Sequence, residues 1–168
     1  MTLNASEGSI PPYLGSPFEY QEEVNDIRSI MSDACELLHE SDAVQFIVRG
    51  FSEVPWAVDV ETDLPVVLEQ LPEAVRALRG REKFSIAFYE QGVERSLNFN
   101  CVASQVEIEC TSWKSTWKPI PTTLTVEHKD LEELFRGLGE DFYRLVKVAC
   151  GDLAAHPWLR EWKRSVTP

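Results

Sequence analysis

The chain has 168 residues, 43% of them apolar and 10% aromatic. This predicts one globular domain that buries roughly 70% of the surface its unfolded form exposes, and it excludes global disorder. The formal net charge of −12 is unevenly spread, with −13 on residues 1–113 and +1 on residues 114–168. Such a field repels nucleic-acid phosphates and anionic membrane and draws in a basic protein, so we expect a basic protein partner, no nucleic acid and no membrane.

Residues 1–12 lack a charged segment followed by an apolar run, and no stretch approaches the roughly 20 apolar residues of a membrane span. Cys35, Cys101, Cys110 and Cys150 are too few and too scattered for a disulfide framework. A cytoplasmic location is the expectation.

Residues 1–19 hold three prolines and two glycines without periodicity, which predicts a loose N-terminal arm or an extended strap and leaves 20–168 as a single domain. From Gln21 the pattern turns helical, with Val24, Ile27, Met31, Ala34 and Leu38 on one face. Gln45-Phe46-Ile47-Val48 reads as a buried strand and Ala57-Val58-Asp59-Val60 as a second. Leu64 to Leu78 reads as helix, with Thr62 or Asp63 as its N-cap. Pro72 is expected to break it into two short helices or to start a new one. Lys83 to Ser112 carries the clearest β pattern. Phe84, Ile86 and Phe88, then Leu97, Phe99 and Cys101, then Val106, Ile108 and Cys110 alternate with polar residues, as in an antiparallel meander with one apolar and one polar face. A turn at Ser104-Gln105 would pair Phe99 with Cys110 and Cys101 with Ile108. Thr122 to Val126 is a further short strand.

From Lys129 to Cys150, Leu131, Leu134, Phe135, Leu138, Phe142, Leu145 and Ala149 form the apolar stripe of a helix, in which Gly137 and Gly139 point to close packing or a bend. Gly151 ends it, and Pro157 opens a last short helix through Trp162. The order predicts an α+β fold: a mostly antiparallel sheet of four to six strands, with a long N-terminal and a long C-terminal helix packed on one face.

No motif fixes an enzymatic activity. Asp59, Glu61 and Asp63 have the spacing of a calcium loop, but its glycine is missing and Leu64-Pro65 starts a helix instead. The cysteines form no C-x-x-C pair and His39, His128 and His156 lie far apart. Ser115-Thr116-Trp117-Lys118 matches S-x-x-K without the accompanying elements of acyl-enzymes, and Pro119 follows it directly. There is no P-loop and no G-x-G-x-x-G. We therefore expect no catalytic, metal or cofactor residues. Arg95, in the hairpin after Phe88, is expected to pair with Glu90 or Glu94, the alternative being that this hairpin is a recognition tip.

The most distinctive stretch is base-free. Between Gly50 and Val75 stand Glu53, Asp59, Glu61, Asp63, Glu69 and Glu73, with no Lys, Arg or His. If Trp56-Ala57-Val58-Asp59-Val60-Glu61-Thr62-Asp63 is extended, its three acids project from one face as a ridge beside Trp56. With Glu107 and Glu109 on the polar sheet face and the loop aromatics Trp113 and Trp117, these are the candidate partner-binding residues. In its polar sheet face, this acidic segment and the lack of a catalytic set, the chain resembles small bacterial immunity proteins of polymorphic or contact-dependent toxin systems. The resemblance rests on size, acidity and α+β order and transfers no individual residue. It implies a non-enzymatic, cytosolic inhibitor that binds and neutralises a basic toxin or enzyme. Two alternatives stay open: a small enzyme or ligand-binding domain with a pocket between the sheet and the long helix, and a structural or oligomerisation module.

Overall fold

The structure is a computed structural model that describes residues 1–16, 18, 27–114 and 116–167. The Gln21–Val24 end of the predicted first helix therefore lies outside the described residues, as does Ser115 of the S-x-x-K match. The fold is α+β. Among the described residues it comprises strands β1 (Thr2–Ala5), β2 (Val44–Ile47), β3 (Phe84–Phe88), β4 (Arg95–Val102), β5 (Gln105–Ser112) and β6 (Thr123–Glu127). The helices are α1 (Ile27–Glu40), α2 (Asp63–Arg79), α3 (His128–Ala149), α4 (Gly151–Ala155) and α5 (Pro157–Val166). No helix of the described residues is long and apolar enough to cross a membrane.

Strands β3 to β6 form the antiparallel meander, each paired with the next in sequence, and β1 pairs with β2 as a separate two-stranded sheet. The start of the arm is thus not loose. Leu3 lies opposite Phe46 and is buried, and Tyr13 N–H donates to the Ala149 carbonyl at 2.7 Å. The β4–β5 register differs from expectation by two residues. Phe99 faces Ile108, Cys101 faces Val106 and Leu97 faces Cys110, because the turn is Ala103-Ser104, with Ala103 at φ 52°. That left-handed value suits the two-residue turns whose twist matches a hairpin. A shift of two keeps every side chain on its predicted face, since the strand period is two.

The apolar face of the meander packs on α2 and α3, while α1 packs on α2, α3 and α5. The expected long C-terminal helix, α3, is thus on the sheet, but its companion there is α2 and not the N-terminal helix α1. Phe84 and Phe99 stack at 4.4 Å between ring centres, and Phe135 of α3 meets both rings edge-on. Close packing explains Gly139, where a Cβ would come within 2.6 Å of Val166 in α5. Gly151 opens α4 rather than simply ending α3.

Helix α2 is the hub, touching α1, α3, α5 and β3. Gln70 extends its side-chain amide to β3, accepting from Ala87 N–H and donating to the Ala87 carbonyl, both at 2.9 Å. Pro72 does not break α2, which runs unbroken for 17 residues. Proline removes the N–H that would bond the carbonyl four residues back, which is Leu68. That carbonyl accepts instead from the Trp162 indole Nε1–H of α5, at 2.9 Å and fully buried. A donor from elsewhere in the chain thus satisfies the group that the proline orphans.

Replacing Trp162 with Phe leaves the Leu68 carbonyl buried and unpaired, a cost of about 1–3 kcal/mol. Pro72→Ala restores the helical N–H. In urea unfolding, Pro72→Ala should therefore stabilise the Trp162→Phe protein more than it stabilises the parent. Equal effects in the two backgrounds would mean that Trp162 serves α2 only by packing.

Candidate functional site

Alternation along β3 to β6 sends one set of side chains into the core and the other to solvent. The outward set forms rows across the strands: Ser85, Asn98, Glu109 and Thr123 in one, Asn100, Glu107 and Thr125 in the next, Ala87, Ser96 and Thr111 in a third. These side chains are exposed or half-buried. The carboxylates of Glu107 and Glu109 are exposed, and a shallow hollow runs between them, Ser85, Asn98 and Asn100, with Lys83 at its edge. Asn100 Nδ2 donates a long bond of 3.4 Å to Glu107. Trp113 follows β5, continues the outward alternation of Glu107, Glu109 and Thr111, and is 58% exposed. Three predicted residues, Glu107, Glu109 and Trp113, thus share one open surface.

The acidic ridge does not form, because residues 57–60 are not a strand. The segment folds into the turn that starts α2. Asp59 Oδ1 accepts from Thr62 N–H at 2.7 Å and from the Thr62 hydroxyl at 2.9 Å. Asp63 Oδ2 accepts from Asp59 N–H at 3.0 Å, and Leu64 N–H donates to the Asp59 carbonyl at 3.2 Å. These acids satisfy backbone donors at a helix start, the job of an N-cap, so local hydrogen bonding overrides the period-two pattern. Asp59 and Glu61 remain exposed, Glu61 lying 3.4 Å from His39 of α1. Asp63 is only 3% exposed, and its second oxygen has no hydrogen-bond partner. Burial pushes its carboxyl above the usual range, and the Asp59 and Glu90 charges add to that against the lowering hydrogen bond from Asp59. Asp63 is thus a core group and not part of a docking ridge.

Trp56 is likewise no exposed anchor. It is 5% exposed, its N–H bonds the Val48 carbonyl at 2.9 Å and its indole N–H the Gly50 carbonyl at 2.8 Å. Its ring meets Phe88 and Trp117 edge-on, the latter at 5.9 Å between centres. Trp117 is half-buried. The corner between the two indoles holds Arg95, whose guanidinium carbon lies 3.5 Å from the Trp117 ring centre and 4.5 Å from that of Trp56. Arg95 does not pair with Glu90 or Glu94. It is 7% exposed, Nε and Nη1 have no hydrogen-bond partner, and burial draws its pKa down. The aromatic quadrupoles stand in for a carboxylate, while Glu94 pairs with Lys114. The inward position of Arg95 was available in the alternation itself, since it shares parity with Leu97, Phe99 and Cys101.

On the helical side, Arg28 pairs with Glu69 at 2.9 Å, and the Tyr89 hydroxyl donates to the same carboxylate. Burial and that carboxylate push the Tyr89 phenol up to about 12. Among the described residues no three His, Cys, Asp or Glu side chains converge as metal ligands. Comparison with family models, with curated proteins and with solved structures finds no match to this chain.

The buried Asp63 yields a test with a defined sign. A carboxyl whose folded pKa is raised favours folding below its unfolded value near 3.8, and that contribution is lost as pH rises through the folded value. Asp63→Asn keeps an oxygen for Asp59 N–H and removes the buried charge. Its stability relative to the parent should therefore be higher at pH 7 than at pH 4, as read from urea midpoints. A pH-independent difference would mean that the carboxyl titrates normally.

Proposed function

We propose that this chain is a non-enzymatic binding protein that neutralises a basic protein, in the manner of a cytosolic immunity protein, and docks it on the outer face of the four-stranded sheet. The observation that carries this reading is the grouping of Glu107, Glu109 and the exposed Trp113 on one face that no described helix covers. A flat array of small Ser, Asn and Thr side chains lets a partner approach closely. The two carboxylates give it a charge preference, and a large aromatic supplies an anchor of the kind that dominates interface energies. The net charge of −12 extends the attraction beyond contact range, which accelerates encounter with a cationic surface. Asp59, Glu61, Asp63 and Trp56 have no part in this reading of the docking face, because their roles are in the start of α2 and in the core.

The test uses the tagged full chain as bait in native lysate, followed by association kinetics with the captured protein. Reversing Glu107 and Glu109 to Lys should slow association by about tenfold at low salt, leave the melting temperature unchanged, and free the partner's activity from inhibition. Reversing Asp59 and Glu61 should leave the rate within about twofold, because these charges lie off the docking face and act only through a screened field. A rate that responds to the Asp59 and Glu61 reversal but not to the sheet-face reversal would overturn this assignment.

A further inference from the structure

The inner face of the sheet does not close completely on α3. A cavity of about 180 Å³ remains, walled at depth by the buried side chains of Phe51, Trp56, Leu97, Phe99 and Ile108. Leu124, Val126 and Leu134 are half-buried at its mouth, and Arg49 and Asp130 stand exposed at its rim. The space is therefore reached from solvent across a charged edge. The wall is held open by local geometry. Two hydrogen bonds from Trp56, to the Val48 and Gly50 carbonyls, fix the loop behind the cavity. Gly50 sits at φ 109° against Leu124, where a Cβ would lie 3.1 Å from a Leu124 methyl.

Three properties together select a ligand class. The interior is apolar and partly aromatic, and an apolar cavity of about 150 Å³ stays dry and admits benzene. The volume thus suits one phenyl ring or one branched aliphatic group. The charged side chains of the rim are one cation and one anion, with Met1 also on the wall, and neither Arg49 nor Asp130 forms an ion pair or side-chain hydrogen bond, with each other or with any described residue. A simple acid that met Arg49 would also meet Asp130 and the negative field of the chain. A simple amine would meet Arg49. A zwitterion satisfies both charges and adds no net charge.

We propose that this cavity is a binding site for a free α-amino acid with a large apolar side chain, phenylalanine being the best fit. The side chain enters between the sheet and α3, the carboxylate pairs with Arg49 and the ammonium with Asp130. The site is on the opposite face of the sheet from the proposed docking surface and does not depend on that reading.

Titration calorimetry with L-phenylalanine, phenylacetate and phenethylamine, on the full chain, tests the assignment. Phenylalanine should bind at least about fivefold tighter than either singly charged analogue. Arg49→Ala and Asp130→Asn, both surface changes, should each weaken it by about tenfold, the loss of one charge-assisted contact. The Trp56 indole N–H resonance should shift on binding, which locates the ligand at the cavity wall. Ile108→Phe, which fills the space, should abolish binding, and Ile108→Val repeats the comparison if that variant fails to fold, since a larger cavity must keep the site. Equal binding of the three ligands, indifference to Arg49 and Asp130, or a Trp56 resonance that does not move would each overturn the proposal, as would no binding of phenylalanine at all.

Discussion

One carbonyl organises the helical layer. Pro72 sits in the middle of the helix that touches α1, α3, α5 and β3, and it leaves Leu68 without its normal donor. The indole of Trp162, 94 residues further along the chain, supplies the missing proton. That bond ties α2 to α5, and α5 is held in turn by the close approach of Gly139 to Val166 and by the edge contact of Phe142 with the same indole. Since α2 also packs on β3, the bond made by the last helix links it through α2 to the edge of the sheet.

The same economy governs the acids. The base-free stretch looks like a reservoir of free negative charge, yet most of it is engaged within the chain. Asp59 and Asp63 build the first turn of α2. Glu61 neighbours His39, and Glu69 holds Arg28 and Tyr89. Glu73 grips Arg76, whose hydrogen bond holds the Glu73 carboxyl below its ordinary range. Glu107 and Glu109, on the outer sheet face, are by contrast exposed and at most weakly bonded, in a segment whose sequence is less acidic. Charge density along a sequence thus differs from charge available in space.

The sheet was legible because period-two alternation survives errors of register. Leu97, Phe99 and Cys101 stay inward whether the turn falls at residue 103 or 104. The stripe of α3 was legible because its apolar positions recur over six turns. What misled was local chemistry that competes with pattern. Asp59 and Asp63 at alternate positions imitate a strand face, and only their hydrogen bonds to nearby backbone reveal a helix start. Pro72 implied a break because its rescuer lies far away in sequence. Arg95 implied a surface ion pair because arginine is seldom buried, and only the convergence of Trp56 and Trp117 from two loops makes its burial tolerable. Within the candidate surface, Glu107 and Glu109 follow from alternation alone and Trp113 is exposed as expected, whereas Trp56, expected beside the ridge, is buried.

The amide of Gln70 has a consequence for self-association. A sheet ends in strands whose outer backbone groups are free to pair with another chain, the usual route to aggregation and to recognition by strand addition. On β3 the outward N–H and carbonyl of Ala87 are already taken by a side chain that imitates a neighbouring strand. An incoming peptide would have to displace both bonds at the fourth residue of a five-residue edge. The sheet is therefore blunted against strand addition on that side.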